Sequence, residues 1–363
     1  MTKVSTLFTN PPTNDKIPPT SQKGVFFMKS LIVEKDGSLS IREVPTPKPS
    51  PNEALVKTIA CGMCGTDIKV IHQAFKGFPL SSYPLILGHE GVGEVIEVGK
   101  NVTSYKIGDK VLLPFVDATD EIGSAYGAMS EYGIVRDIAA FPPGEAPEPA
   151  HAQTVLPKDL DPVESVLFVT FREVLSTIRY FGVKPEDSIV IYGCGSVGQT
   201  FIKFLSLLGF TQIIAVDILD EKLEIALKLG ACKAFKTDVV NEVRALYPDG
   251  VNHVLDAVGL SFVTNEAMKL LADRGNVLCY GVLAKEQITI DFSAASYNWN
   301  FICQQMPRKD EEAAAHQQIL EWIRTGQLVM KDFISDYFEF NQAIEAYEKM
   351  LDGKIHKKGI IKF

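Results

Sequence analysis

An α/β fold, with a doubly wound parallel sheet following a strand-rich N-terminal region, is predicted from three observations. After Pro162 the apolar runs alternate between strand and helix: 164–181 helix, 189–192 strand, 197–208 helix, 213–216 strand, 220–229 helix. Between the second and third of these lies Gly193-Cys-Gly195-Ser196-Val197-Gly198, a glycine pattern in the strand-to-helix setting it needs in order to mean anything. Before about Ala140 the chain instead reads as short β-type runs at 30–34, 55–59, 93–98 and 110–113, broken by Gly, Pro and Asp.

Length and composition limit what the chain does. At 363 residues about two domains are expected, and 46% apolar residues provide a sizeable core. The net charge of −9 speaks against nucleic acid or an anionic membrane as partner. No apolar run is long enough to span a bilayer. Residues 1–27 are polar and rich in proline, lack a signal-type apolar stretch, and are expected to be a disordered tail, with Met28 opening the fold. Six cysteines without an export signal suit a reducing, cytoplasmic setting, and Cys194, Cys232, Cys279 and Cys303 are most simply small apolar fillers.

The rest of the second half continues the alternation. Gly230 caps the helix 220–229; a strand at 254–257, a helix to 271 and a strand at 276–280 follow. Helices at 311–324 and 341–351 and a strand at 358–363 close the chain. Gly193 permits the tight turn, Gly195 lets backbone approach a pyrophosphate, and Gly198 allows close packing. The helix N-terminus beyond offers free N–H groups to phosphate. Asp217 follows Gly193 by 24 residues, at the end of the next strand, where a carboxylate accepts from ribose hydroxyls and repels a 2′-phosphate. NAD is therefore expected rather than NADP.

The metal chemistry is written in Cys61-Gly-Met-Cys64-Gly-Thr66-Asp67 and Gly88-His89-Glu90-Gly91-Val92-Gly93. A thiolate and an imidazole suit zinc, and a catalytic zinc uses about three protein ligands with one open position. Cys64 and His89 are two, Glu90 coordinates or stands beside them, and Asp67 orients the site. Thr66 supplies a hydroxyl able to pass a proton from a bound alcohol.

With Gly108-Asp-Lys-Val111, Ser130-Glu-Tyr132 and Val254-Leu-Asp-Ala-Val-Gly259 added, the chain from Met28 to Phe363 resembles the zinc-dependent medium-chain dehydrogenases, the alcohol, sorbitol and threonine dehydrogenase superfamily. The resemblance implies a GroES-like catalytic domain, here 28–166 and 302–363, split around a Rossmann domain at 167–301. It implies Cys64 and His89 as catalytic zinc ligands with Glu90 next to them, Thr66 as the proton-relay hydroxyl, and Asp217 and Lys222 at the adenosine ribose. Homodimers or homotetramers are implied, with contact expected near 277–292.

Three departures from the family pattern stand out. Residues 114–130 contain no cysteine, so one catalytic zinc and no structural zinc are expected. The family's third ligand position falls on Phe168 or Val169, flanked by Glu164 and Glu173, and direct coordination by Glu90 is the simplest repair. Arg172 and Glu173 either face the nicotinamide or form a solvated helix face. Lys69 stands where some members carry a relay histidine, and His72 reads as surface.

The activity expected is hydride transfer between a small secondary alcohol or its ketone and NAD, the alcohol being of polyol, sugar or cyclitol type by analogy with sorbitol-type members. The pocket is expected from 71–83, 116–126 and 297–308. Lys309 and Arg308 either meet an anionic group or lie on the surface. The competing readings are a metal-free quinone or enone reductase of the same superfamily and a non-catalytic dinucleotide sensor.

Overall fold

The computed structural model describes residues 21–22, 25–236, 239–283 and 287–363. The C-terminal half carries a six-stranded, all-parallel sheet in the order Lys233–Phe235, Ile213–Val216, Ile189–Tyr192, Val251–Asp256, Leu271–Cys279, Trp299–Cys303. The near-continuous Val, Ile and Leu content of the inner strands follows from burial on both faces. The order reverses at Ile189–Tyr192, which has Ile213–Val216 on one side and Val251–Asp256 on the other. A crevice opens beyond the carboxyl ends of strands at such a switch point. Gly193, Ala257 and Tyr280 each follow one of these strand ends.

A second sheet is built around Glu53–Gly62, which pairs with Glu90–Val98, Tyr132–Arg136 and Lys358–Lys362. Ile360 lies opposite Gly62, and the parallel neighbour Ile334–Glu339 extends the sheet beyond the last strand. The strand Glu53–Gly62 and the last strand of the chain are thus joined in one sheet. A third sheet pairs Val25–Val33 with Leu39–Pro45 and Leu85–Ile86. Ordered pairing reaches back to Ser21–Gln22, so part of the tail expected at residues 1–27 is strand and the fold starts before Met28; residues 1–20 and 23–24 of that tail lie outside the described residues.

The helix Leu167–Phe181 joins the two halves. Leu167, Phe171, Val174, Ile178 and Phe181 recur at three- and four-residue spacing and are buried. Gly182, at φ 65°, ends the helix in a left-handed turn. Strands Leu39–Pro45, Trp299–Cys303 and Ile334–Glu339 were not expected from the sequence. Each carries polar residues among half-exposed ones, and pairing to a neighbour rather than local pattern makes them strands. No described helix is long and apolar enough to cross a membrane.

The fingerprint glycines differ in what they tolerate. A Cβ on Gly198 would stand 1.8 Å from the Gly193 carbonyl oxygen, whereas one on Gly195 meets nothing within 4 Å. Gly198→Ala is therefore expected to cost about 1–3 kcal/mol in urea denaturation. Gly195→Ala, at a helix cap facing open space, should cost under about 1 kcal/mol.

Candidate active site

Cys64 caps the helix Gly65–Ile71 just past the central strand, and His89 stands at the start of Glu90–Val98. Because these two strands pair, residues 25 apart in sequence become neighbours. Ligand atoms of Cys64, His89 and Glu90 lie within 4.8 Å of one another. Asp67 arranges the group: its Oδ1 is 3.3 Å from His89 Nδ1, and its Oδ2 accepts from the Cys64 N–H at 2.9 Å and the Tyr347 hydroxyl at 2.7 Å. With Nδ1 engaged, Nε2 is the nitrogen left for a metal. Burial opposes charge on His89, but Asp67 and Cys64 outweigh it and hold its pKa well above the ordinary value. A compact thiol, imidazole and carboxylate set suits zinc.

Glu90 is fully buried and is met by Lys358, whose ammonium donates to both carboxylate oxygens at 2.7 and 2.6 Å. The Thr170 hydroxyl donates to Oε1 at 3.0 Å. Burial opposes the Lys358 charge, yet Glu90 more than compensates and its pKa is raised. Gly62 makes room, since a Cβ there would lie 2.2 Å from Glu90 Oε2. Sequence reasoning missed Lys358 and Thr170. Lys358 is 268 residues from Glu90 and beside another lysine, so no local signal marks it.

Phe168 and Val169 are buried hydrocarbon and offer no ligand. One turn on, Glu173 does line the cleft shared with Cys64 and His89, and the Tyr280 hydroxyl faces its Oε2 at 3.4 Å. Its neighbour Arg172 is fully buried and donates to the Ala152 carbonyl at 2.8 Å, so this stretch is not a solvated helix face. Lys309 also turns into the cleft, 2.6 Å from the buried Glu312, whose carboxyl is pushed up to about 7 by burial, with Lys309 opposing. Arg308 points outward and pairs with Asp310. His72 is exposed, as expected.

The cleft measures about 300 Å³. Cys64, Thr66 and His89 lie on one side; Val197, Ala257 and Val258, from the segments that follow parallel-sheet strands, lie on the other. Phe115, Tyr126, Gln305 and Met306 form further wall, whereas no residue of 71–83 lines the cleft; Phe75, Lys76, Gly77 and Phe78 line a neighbouring depression that shares Tyr126 and Met306. Lys69 lines the cleft and donates to the Val282 carbonyl.

The residues of the fingerprint fit a dinucleotide. Gly195 opens onto empty space, the helix Ser196–Leu207 has no side-chain cap, and the buried Ser196 Oγ has no protein partner. Free N–H groups and an unpartnered hydroxyl at one helix start suit a phosphate. Asp217 accepts from the N–H groups of Cys194 at 2.7 Å and Leu219 at 3.0 Å, which fixes its carboxylate beside the glycine turn. Lys222 lies in the first turn of the next helix, Asp220–Leu229.

Removing one partner of a buried ion pair leaves an uncompensated charge. Lys358→Met is expected to destabilise the protein by about 3–5 kcal/mol in denaturant titration. Adding Glu90→Gln should restore most of that loss.

Two family models match this chain: the alcohol dehydrogenase GroES-like domain at residues 50–143 and the zinc-binding dehydrogenase at residues 196–303. An alcohol dehydrogenase of Geobacillus stearothermophilus is 29% identical over 351 residues, spanning 92% of this chain and 99% of that protein. The (R,R)-butanediol dehydrogenase of Bacillus subtilis is 28% identical, over 71% of this chain and 78% of that protein. A solved short chain alcohol dehydrogenase of E. coli CFT073, complexed with NADH, superposes with TM-score 0.76 at 22% identity, covering 93% of this chain and 99% of that one. With both family models in place and the same two-part architecture, the chain belongs to the zinc-dependent medium-chain dehydrogenase/reductase superfamily.

Proposed function

We propose that this protein is an NAD-dependent alcohol dehydrogenase that oxidises a secondary alcohol of polyol, sugar or cyclitol type, or reduces the matching ketone. One observation carries the reading: Cys64, Thr66 and His89 share a single cleft with the residues just past the dinucleotide fingerprint. The sorbitol dehydrogenase and (R,R)-butanediol dehydrogenase of Bacillus subtilis, among the relatives, support the substrate class.

Cys64, His89 and Glu90 would hold one catalytic zinc per chain, with no structural zinc. Lys358 and Thr170 occupy part of the Glu90 carboxylate, which has about four lone-pair sites and so retains room for a further partner. When bound, zinc supplies a Lewis acid for the substrate oxygen and NAD supplies the hydride acceptor. The chain's own residues do the rest. Asp67 holds the His89 ring in orientation. Thr66 Oγ1 takes the proton of the substrate hydroxyl and hands it toward solvent. Phe115, Tyr126 and Met306 exclude water. Glu173 and Lys309 place an acceptor and a donor where further substrate hydroxyls would lie. Gly193, Gly195, Ser196, Val197 and Gly198 receive the pyrophosphate, and Asp217 and Lys222 the adenosine ribose. Copies would associate as homodimers or homotetramers, with the contact near 277–292. The setting proposed is the cytoplasm.

Metal content of untagged protein tests the reading. About one zinc per chain, lost in Cys64→Ala, is expected; no metal, with none taken up from added zinc, would redirect it to a metal-free reductase or a sensor. Thr66→Val should lower kcat by roughly 100-fold or more while leaving zinc content unchanged. Lys309→Met should raise KM for a polyol more than for a simple secondary alcohol of equal length, measured by NADH formation.

A further inference from the structure

Cys279 and Cys303, expected from sequence to be separate apolar fillers, are brought together by the fold. They are register partners on the neighbouring parallel strands Leu271–Cys279 and Trp299–Cys303. Register partners on parallel strands point to the same face, and adjacent strands lie about 4.7–4.9 Å apart. That falls within the Cα separation of disulfides, roughly 4.4–6.8 Å. The two thiols are close enough for each to shift the other's ionisation. Cys279 is buried and Cys303 exposed. We propose that Cys279 and Cys303 form a redox modification site at the edge of the active-site cleft, a dithiol closed to a disulfide by exchange with a low-molecular-weight disulfide.

The asymmetry suits the chemistry, because an accessible thiol beside a resolving one is the arrangement of redox-sensitive pairs. The neighbouring Cys279 lowers the Cys303 thiol to about 7 against burial, and Lys76 assists. The Cys303 thiolate attacks one sulfur of the small disulfide, forming a mixed disulfide and releasing one thiol. Cys279, whose thiol Cys303 and burial push well up, then passes its proton to the departing small thiolate as its sulfur attacks the Cys303 sulfur, releasing the second thiol. Two protein thiols are oxidised and one small disulfide is reduced to two thiols.

The pair is tied to the cleft wall. Gln305 donates through Nε2 to Cys279 Sγ at 3.6 Å and to the Gly281 carbonyl at 2.9 Å, and its Oε1 accepts from Lys76 at 3.1 Å. Tyr280, Gly281, Val282 and Gln305 all line the cleft. Gly281 packs closely against the neighbouring loop, since a Cβ there would lie 2.1 Å from the Gly259 nitrogen. Drawing Cys303 onto Cys279 therefore disturbs this wall.

The test equilibrates the full-length protein in reduced and oxidised glutathione mixtures, then alkylates it, maps peptides without reduction, and measures zinc content, NADH binding and activity. Expected are a Cys279–Cys303 cross-linked peptide, NADH affinity or kcat/KM lowered about tenfold, and recovery with dithiothreitol. Cys303→Ser, at an exposed position, should fold normally, give no cross-link and lose the sensitivity. Three results would overturn the proposal: no cross-link in fully oxidised glutathione, glutathione retained on Cys303 without closure onto Cys279, or inactivation that persists in Cys303→Ser. The cross-link and NADH readouts stand even if the proposed alcohol oxidation fails.

Discussion

The buried pair between Glu90 and Lys358 is the interaction on which the arrangement of the site depends. Glu90 opens one strand of the central sheet and Lys358 opens the last strand of the chain; both meet the strand Glu53–Gly62, one on each side of it. Two charges removed from water are tolerated only because each finds the other and the Thr170 hydroxyl adds a further hydrogen bond. A sheet built mainly from apolar contacts could slip in register, but this pair cannot be satisfied in a shifted one. The C-terminal strand is thereby held in place, and with it the neighbourhood of Cys64 and His89.

The second constraint is the crevice of the parallel sheet. Its switch point lies at Ile189–Tyr192, and the loops after three strands form the cofactor side of the cleft. The helix Leu167–Phe181 runs between the halves and serves both. Its Thr170 reaches Glu90, its Glu173 enters the cleft, and its apolar residues pack into the core. Glu173 and Lys309 line the cleft, and the buried Arg172 and Glu312 offset their charges from behind. A neutral, hydroxyl-bearing molecule suits such a set better than an anion, because the set offers both a donor and an acceptor and no excess positive charge.

Much of the chemistry was legible early because it is local. Cys64, Thr66 and Asp67 lie within one turn, His89 and Glu90 are adjacent, and the glycine fingerprint with Asp217 is a single strand–helix–strand unit. Residues whose meaning depends on a distant partner were not legible. Glu173 seemed misplaced when counted along a helix, yet the helix is oriented so that this turn faces the cleft. Lys309 resembled surface charge and is turned inward by the pairing with Glu312. Cys279 and Cys303 looked like fillers because the strand Trp299–Cys303 has little local pattern and exists through its pairing to Leu271–Cys279.

The sequence by itself determined the fold class, the alternation of the second half and the residues able to bind a metal and a dinucleotide. Hydrophobic periodicity, glycine conformational freedom and donor chemistry are properties of short segments, and so they can be read there. Tertiary structure alone decided which buried charge answers Glu90, which helix turn faces the cleft and which cysteines stand opposite each other on neighbouring strands. Those outcomes depend on strand register and helix orientation, and these are set by burial across the whole chain.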